Sequence, residues 1–316
     1  MTHNHEAQCV THAAALAVAI VAVAGCADPH RVVSPTGGDE LRPAASRQST
    51  TSGRILYDRG LEGDIYSMDD DGNNVIQLTA TPDVAEAQPA WAPDGKRVIY
   101  GRNPGDEPVA IFIMNADGTG ATRLTYPAPT ELDLSPRALG KRIVFQRIGD
   151  IGDFPSLWTI NDDGSDLTRL TNGFAAVSPA PHPGGKLLAF VRDGDIYVMD
   201  VETRALTNPT ASDAIERDPS WSPNGKQIAF IREIEGLNSD VFVMLSDGTE
   251  VTRLTNTPDA RELTPRWSPD SKRIAFSSGI FLSSRIWTMD ADGTGLNELS
   301  LTHTPADAER VGAWAR

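Results

Sequence analysis

Apolar residues in this chain come in short bursts, and the bursts recur in a fixed order. One set reads ILY at 55–57, VIY at 98–100, IVF at 143–145, LAF at 188–190, IAF at 228–230 and IAF at 274–276. Each is followed by a second burst: IYSM at 65–68, IFIM at 111–114, LWTI at 157–160, IYVM at 196–199, VFVM at 241–244 and IWTM at 286–289. A Leu-Thr or Leu-Ser pair then begins at Leu78, Leu124, Leu170, Leu206, Leu254 and Leu299. Runs this short, rich in β-branched and aromatic residues and bounded by Gly, Pro, Asp and Asn, predict strands. No polar-apolar pattern of helix length interrupts them.

Turn chemistry divides the bursts. Three twelve-residue strings are near copies: PAWAPDGKRVIY at 89–100, PSWSPNGKQIAF at 219–230 and PRWSPDSKRIAF at 265–276, with a worn turn HPGGK at 182–186. A Trp stands before the turn at Trp91, Trp221 and Trp267, and again at Trp314. In such a turn Pro presets φ, Asp or Asn tolerates the next position and Gly accepts positive φ, which closes a hairpin. Asp-Gly pairs at 71–72, 117–118, 163–164, 247–248 and 292–293 mark a second hairpin. The period is about 40–46 residues, and a repeat of this kind stacks one supersecondary unit on the next. Four strands per repeat and six repeats predict an all-β, six-bladed β-propeller of four-stranded blades. The chain begins its repeats at GRILYDR without a Trp strand and ends them at VGAWAR, a Trp strand with no blade after it. The C-terminal strand is therefore expected to join blade one near Arg54–Tyr57, which would close the ring and remove an open edge.

The residues that carry these hairpins resemble a known family. The pattern P-x-W-S-P-[DN]-G-K-x-I-A-F, followed by I-Y-V-M-[DN]-x-D-G and Leu-Thr, resembles the WD-like propeller repeats of the TolB family, and it recurs through nearly all of residues 53–316. The resemblance implies a six-bladed propeller. The family's namesake is periplasmic and binds partners near the outer membrane. It also carries an α/β domain ahead of its propeller, where this chain has a stretch rich in Pro, Ser, Thr and Gly.

Charge and cysteine usage narrow the setting. The 316 residues carry a formal charge of −15, and no basic stripe with interleaved aromatics occurs, so nucleic acid is not expected as a partner. The two cysteines, Cys9 and Cys26, both precede the repeats, which excludes a disulfide framework or CxxC knuckle within them. Residues 13–25 read AAALAVAIVAVAG, an apolar run of signal-peptide length, although the preceding residues hold Glu6 and no Lys or Arg. The run ends in VAGC at 23–26, which resembles a bacterial lipobox. That resemblance implies export, lipidation at Cys26 and anchoring by acyl chains, each methylene contributing about 0.8 kcal/mol in lipid. The expected division is 1–25 signal peptide, 26–52 lipidated Cys and flexible tether, and 53–316 propeller. The protein would then face the periplasm or the cell exterior, touching membrane only through its anchor.

Candidate chemistry sits on the Trp strand. Glu86, Glu216, Glu262 and Glu309 each lie five residues before a Trp, at the start of the innermost strand of a blade. They are the candidate binding residues of one channel mouth, for a cationic peptide segment or a hard cation such as Ca²⁺. Blade three offers Glu131, displaced from that spacing, and blade four has Ala176. The acidic turns MDDDGNN at 68–74 and MDADGTG at 289–295 lack the ligand spacing of an EF-hand. Their Asp residues are expected to bond the local backbone. No G-x-S-x-G elbow occurs, and beyond the tether only His182 and His303 remain, too few for a histidine-built metal site. No catalytic residue and no bound cofactor are therefore expected. The reading is a monomeric, non-enzymatic module that binds envelope proteins or peptide segments. Two alternatives stand beside it: a lyase or hydrolase with a carboxylate-held metal in the channel, and a structural surface protein.

Overall fold

Each turn string closes its hairpin through the side chain that the sequence provides. Asp94 Oδ1 accepts the Lys96 amide at 2.9 Å, Asn224 Oδ1 accepts that of Lys226 at 2.9 Å, and Asp270 Oδ1 accepts that of Lys272 at 3.1 Å. In the worn copy, His182 Nδ1 takes the same role toward the Gly184 amide at 2.9 Å. The Asp-Gly turns work alike. Asp117 accepts from both the hydroxyl and the amide of Thr119, and these bonds hold its pKa below the usual carboxylate range. Asp163, Asp247 and Asp292 repeat the arrangement, and Asp71 accepts the Asn73 amide at 3.0 Å. The acidic turns are therefore Asx turns, as their composition predicts. Gly118 has a second reason to be glycine: at φ 87° its missing Cβ would lie 2.2 Å from the Leu78 carbonyl oxygen of the preceding blade.

These hairpins build a propeller of four-stranded blades. The computed structural model describes residues 53–60, 63–150, 152–234, 238–280, 283–300 and 308–315; the stretches expected as signal peptide and tether, Cys26 and His303 lie outside them. Strands β1 (Arg54–Arg59), β2 (Asp64–Asp69) and β3 (Ile76–Gln77) belong to the first blade. The second holds β4 (Ala85–Trp91), β5 (Arg97–Asn103), β6 (Ala110–Asn115) and β7 (Thr122–Arg123). The third holds β8 (Leu132–Leu139), β9 (Arg142–Ile148), β10 (Ser156–Asn161) and β11 (Thr168–Arg169). The fourth holds β12 (Val177–Pro181), β13 (Leu187–Arg192), β14 (Asp195–Asp200) and β15 (Leu206–Thr207). Then follow β16 (Glu216–Trp221), β17 (Gln227–Glu233), β18 (Ser239–Leu245) and β19 (Thr252–Arg253), and after them β20 (Arg261–Trp267), β21 (Arg273–Gly279), β22 (Arg285–Asp290) and β23 (Asn297–Glu298). These last eight form one sheet, but a single parallel pair, Ser239 with Arg261, joins two antiparallel four-strand meanders, the fifth and sixth blades.

Closure follows the expected route. Strand β24 (Glu309–Ala315) pairs antiparallel with β1, aligning Ile55 with Trp314 and Arg59 with Glu309. The first strands of successive blades, β4, β8, β12, β16 and β20, touch in order, β20 touches β24, and β24 touches β4. The ring is thus continuous, and β24 is the innermost strand of the first blade.

Packing repeats with the sequence. Tyr57, Tyr100, Phe145, Phe190, Phe230 and Phe276 occupy one position on the second strand of each blade, and all are fully buried. Full burial of an aromatic contributes about 1.5–3 kcal/mol each. Trp221, Trp267 and Trp314 are buried and Trp91 half-buried, while Met199 packs under Tyr197 and Phe190. Ion pairs also join neighbouring blades, Arg97 with Asp162 and Arg273 with Asp70.

The meander sorts the connections. Short hairpin turns lie on one face, the turn face. The loops between second and third strands, and the links between blades, lie on the other, the loop face. Near the middle of the innermost strand each of five blades has a bulge at an x-Pro pair. The residue before Pro takes positive φ in all five: Gln88 58°, Ser135 54°, Ser178 52°, Asp218 50° and Thr264 49°. Pro has no amide hydrogen to lose, so it suits a position expelled from the ladder.

Candidate functional site

The four glutamates singled out by spacing do start the innermost strands, at the loop face. They do not line an open funnel. Glu86, Glu216 and Glu262 are 0% exposed and Glu309 2%. A carboxylate withdrawn from water so completely must be paired or neutralised, and the neighbouring strand provides the partner. Glu216 Oε1 receives Arg232 Nη2 at 2.9 Å and Nε at 3.2 Å. Glu309 Oε1 receives Arg59 Nη2 at 2.6 Å and Nε at 2.9 Å. Glu86 is held more loosely, with Arg102 Nη1 3.5 Å away, and burial raises its pKa.

Blade three departs from the expectation. Glu131 is not the equivalent residue; Asp133 is, being fully buried and bonded to Arg147 at 2.6 and 2.8 Å. Glu131 only adds a longer contact to Arg147 at 3.4 Å. That strand carries Ala138 where other blades carry Trp, so counting back from Trp gives no register there.

The arginines are the residues that spacing alone missed. They stand at the end of the second strand, or one residue before it, in five blades at Arg59, Arg102, Arg147, Arg192 and Arg232, and the strings YDR, YGR, FQR, FVR and FIR announce them. Each guanidinium also covers an aromatic ring of its own blade. Arg59 lies 4.6 Å from the Tyr66 centroid, Arg147 4.9 Å from Trp158, Arg232 4.8 Å from Phe242 and Arg102 5.3 Å from Phe112. An acid below and a ring above fix the arginine, and the arginine neutralises the acid.

Two blades break the pattern in opposite ways. In blade four Ala176 removes the acid, and Arg192 lies over Phe174 at 4.4 Å with its charge turned to Asp193. In blade six Ser278 replaces the arginine. Among the described residues, two hydroxyls hold Glu262, those of Thr257 and Ser278. Burial, reinforced by the charge of Asp240, pushes its pKa up to about 7. Among the described residues no three His, Cys, Asp or Glu side chains are grouped as a metal ion would require.

Above these pairs the loop face carries exposed apolar side chains: Tyr126 at 75%, Phe154 at 57%, Ile215 at 41% and Ile280 at 67%. Arg123 stacks on Tyr126 at 4.7 Å.

The sequence of the last three blades finds a match among known families. Residues 176–310 match the family model of the TolB beta propeller domain. The chain is also 30% identical over 162 residues to an uncharacterized protein of Agrobacterium fabrum, covering 45% of this chain and 53% of that one. It is 24% identical over 205 residues to the Tol-Pal system protein TolB of Francisella tularensis, covering 61% and 47%. A stretch of 103 residues is 28% identical to the uncharacterized peptidase YuxL of Bacillus subtilis, of which it covers 15%. The chain thus spans about half or less of the curated relatives it matches. Among solved structures, TolB from Acinetobacter baumannii superposes with a TM-score of 0.68 at 21% identity, over 83% of this chain and 66% of that one. An oligogalacturonate lyase in complex with manganese superposes at 0.51 and 14%, over 78% and 72%. Both likenesses show the fold alone. The fold is a TolB-like propeller.

Proposed function

We propose that this chain is an exported TolB-like propeller that binds envelope proteins without catalysis, through its loop face. One observation carries the reading: Tyr126, Phe154, Ile215 and Ile280 stand exposed on the face that the buried acid–arginine pairs brace from beneath. Exposed aromatic and aliphatic side chains on rigid supports are the usual anchors of a protein interface. The similarity to the propeller of a Tol-Pal system protein supports the envelope setting. The enzymatic alternative draws on a partial similarity to a peptidase and on the fold of a lyase, and neither favours it over the binding reading. The four glutamates act in this reading as internal braces of the binding face.

A photo-crosslinking amino acid placed at Tyr126 or Phe154 tests it in living cells. The expected result is one discrete adduct with an envelope protein, absent when the same group replaces Leu167 or Leu296 on the turn side. Adducts of equal yield from both sides, or none from the loop face, overturn the reading.

The lipid anchor belongs to the same proposal. Cells fed an alkyne-tagged palmitate should label the protein, and Cys26→Ser should remove the label. Label retained in that variant would place any acylation elsewhere.

A further inference from the structure

The position after the bulged Pro is occupied by Ala90, Arg137, Ala180, Ser220, Arg266 and, in β24, Ala313. It is small in four blades and arginine in two. Those two are the third and the sixth, which face each other across a ring of six. They adopt the same pose: each Nη1 donates to the carbonyl of its own Pro, Pro136 or Pro265, at 2.8 Å. Arg266 Nε also reaches the Gly312 carbonyl at 2.8 Å, on the next innermost strand. Both arginines rise from innermost strands, which border the central space, and Arg266 reaches across to the next of them. Burial, and then the neighbouring Arg266, push the pKa of Arg137 well below the ordinary arginine value.

Counter-charge is scarce there. Among the described residues, neither guanidinium has a carboxylate within ion-pair distance. Asp58 is committed to Arg310 at 3.1 Å. Asp218 is the remaining carboxylate that acts on both arginines, and its hydrogen-bond partner is the Ser178 hydroxyl at 3.4 Å. One acid thus stands against two arginines, each with its Nη2 group still available to donate.

We propose that the central channel is an oxyanion-binding site, in which Arg137 and Arg266 clamp one carboxylate or phosphate group from opposite sides. Both arginines are half-buried and, among the described residues, have no carboxylate at ion-pair distance, so an oxyanion between them would gain charge-assisted bonds from both at once. Asp218 would compete with the ligand and weaken it. The site is distinct from the loop-face apolar surface and stands whether or not that surface binds protein.

Isothermal titration calorimetry on the full-length protein, at fixed ionic strength in chloride buffer, tests it with inorganic phosphate and with citrate as separate probes. Saturable one-site binding of either probe is expected, at least tenfold weaker in Arg137→Gln and Arg266→Gln. Asp218→Asn should bind at least threefold more tightly. Binding of phosphate alone would assign a phosphate ligand, and binding of citrate alone a carboxylate. No saturable heat with either probe, or an unchanged affinity in the arginine double variant, overturns the proposal. Should the arginine variants fail to fold, Asp218→Asn decides: an affinity no tighter than that of the parent protein overturns it as well.

Discussion

At the scale of the residue, the acid–arginine pair and its two exceptions set the energetics. Removing one member of a buried pair strands the other, which costs about 3 kcal/mol. Arg232→Ala should therefore lower the melting temperature by about 6–12 °C, whereas Arg192→Ala, which faces no buried acid, should cost under about 1 kcal/mol; melting curves of the two variants side by side check this. Glu262 makes a separate prediction. Its pKa is raised from the ordinary value of 4.5 to about 7, so folding favours its protonated form. Its contribution is fully present below about pH 4.5, fades as pH rises to about 7 and is lost above that. Glu262→Gln keeps a neutral side chain at every pH. The variant should match the parent near pH 4.5 and exceed it by up to about 3 kcal/mol near pH 8. A parallel pH dependence of the two proteins would refute the assignment. Half of this site was legible in the sequence. The glutamates stood out because a fixed count from Trp locates them. The arginines did not, because Glu86 and Arg102 become neighbours only when the register of a two-strand hairpin is known. Where Trp is missing, in blade three, the count itself fails and Asp133 takes the place that Glu131 was assigned.

At the scale of the element, turn chemistry determines how far a blade can be read from its residues alone. Pro-Asp-Gly and Asp-Gly strings announce their hairpins because the bonds that close them are local, within two or three residues. The bulge at x-Pro was not legible in that way. Positive φ at Gln88 or Thr264 runs against the preference of the residue itself and belongs to the bulge in the pairing with the second strand. Two glycines separate local from packing demands. Gly95, at φ 65°, has no atom within 4 Å of a would-be Cβ, while Gly118 meets the Leu78 carbonyl. Gly95→Ala should cost about 1 kcal/mol from backbone strain alone. Gly118→Ala should cost about 2–4 kcal/mol, because the blade-to-blade contact must also open. Chemical denaturation of the two variants gives the comparison, and equal losses would mean that the inter-blade approach is not rigid.

At the scale of the whole molecule, every blade leans on two neighbours, and the ring is sealed by β24 alone. Deleting residues 309–315 removes the Arg59 partner, exposes β1 as an edge and strips the buried Trp314 from the core. The melting temperature should fall by more than about 10 °C; a truncated protein that melts like the parent would show that the seam contributes little. The seam also has a mechanical side. Arg54 pairs with Ala315, so the two ends of the ring lie side by side at one end of the same antiparallel ladder. A force that draws those ends apart acts on that ladder one rung at a time, as in opening a zipper. The same force applied along the strands would have to shear all rungs together. The seam should therefore yield to traction between Arg54 and Ala315 and resist traction between Arg59 and Ala315, a directionality that optical-tweezer pulling from paired cysteines at those sites would measure.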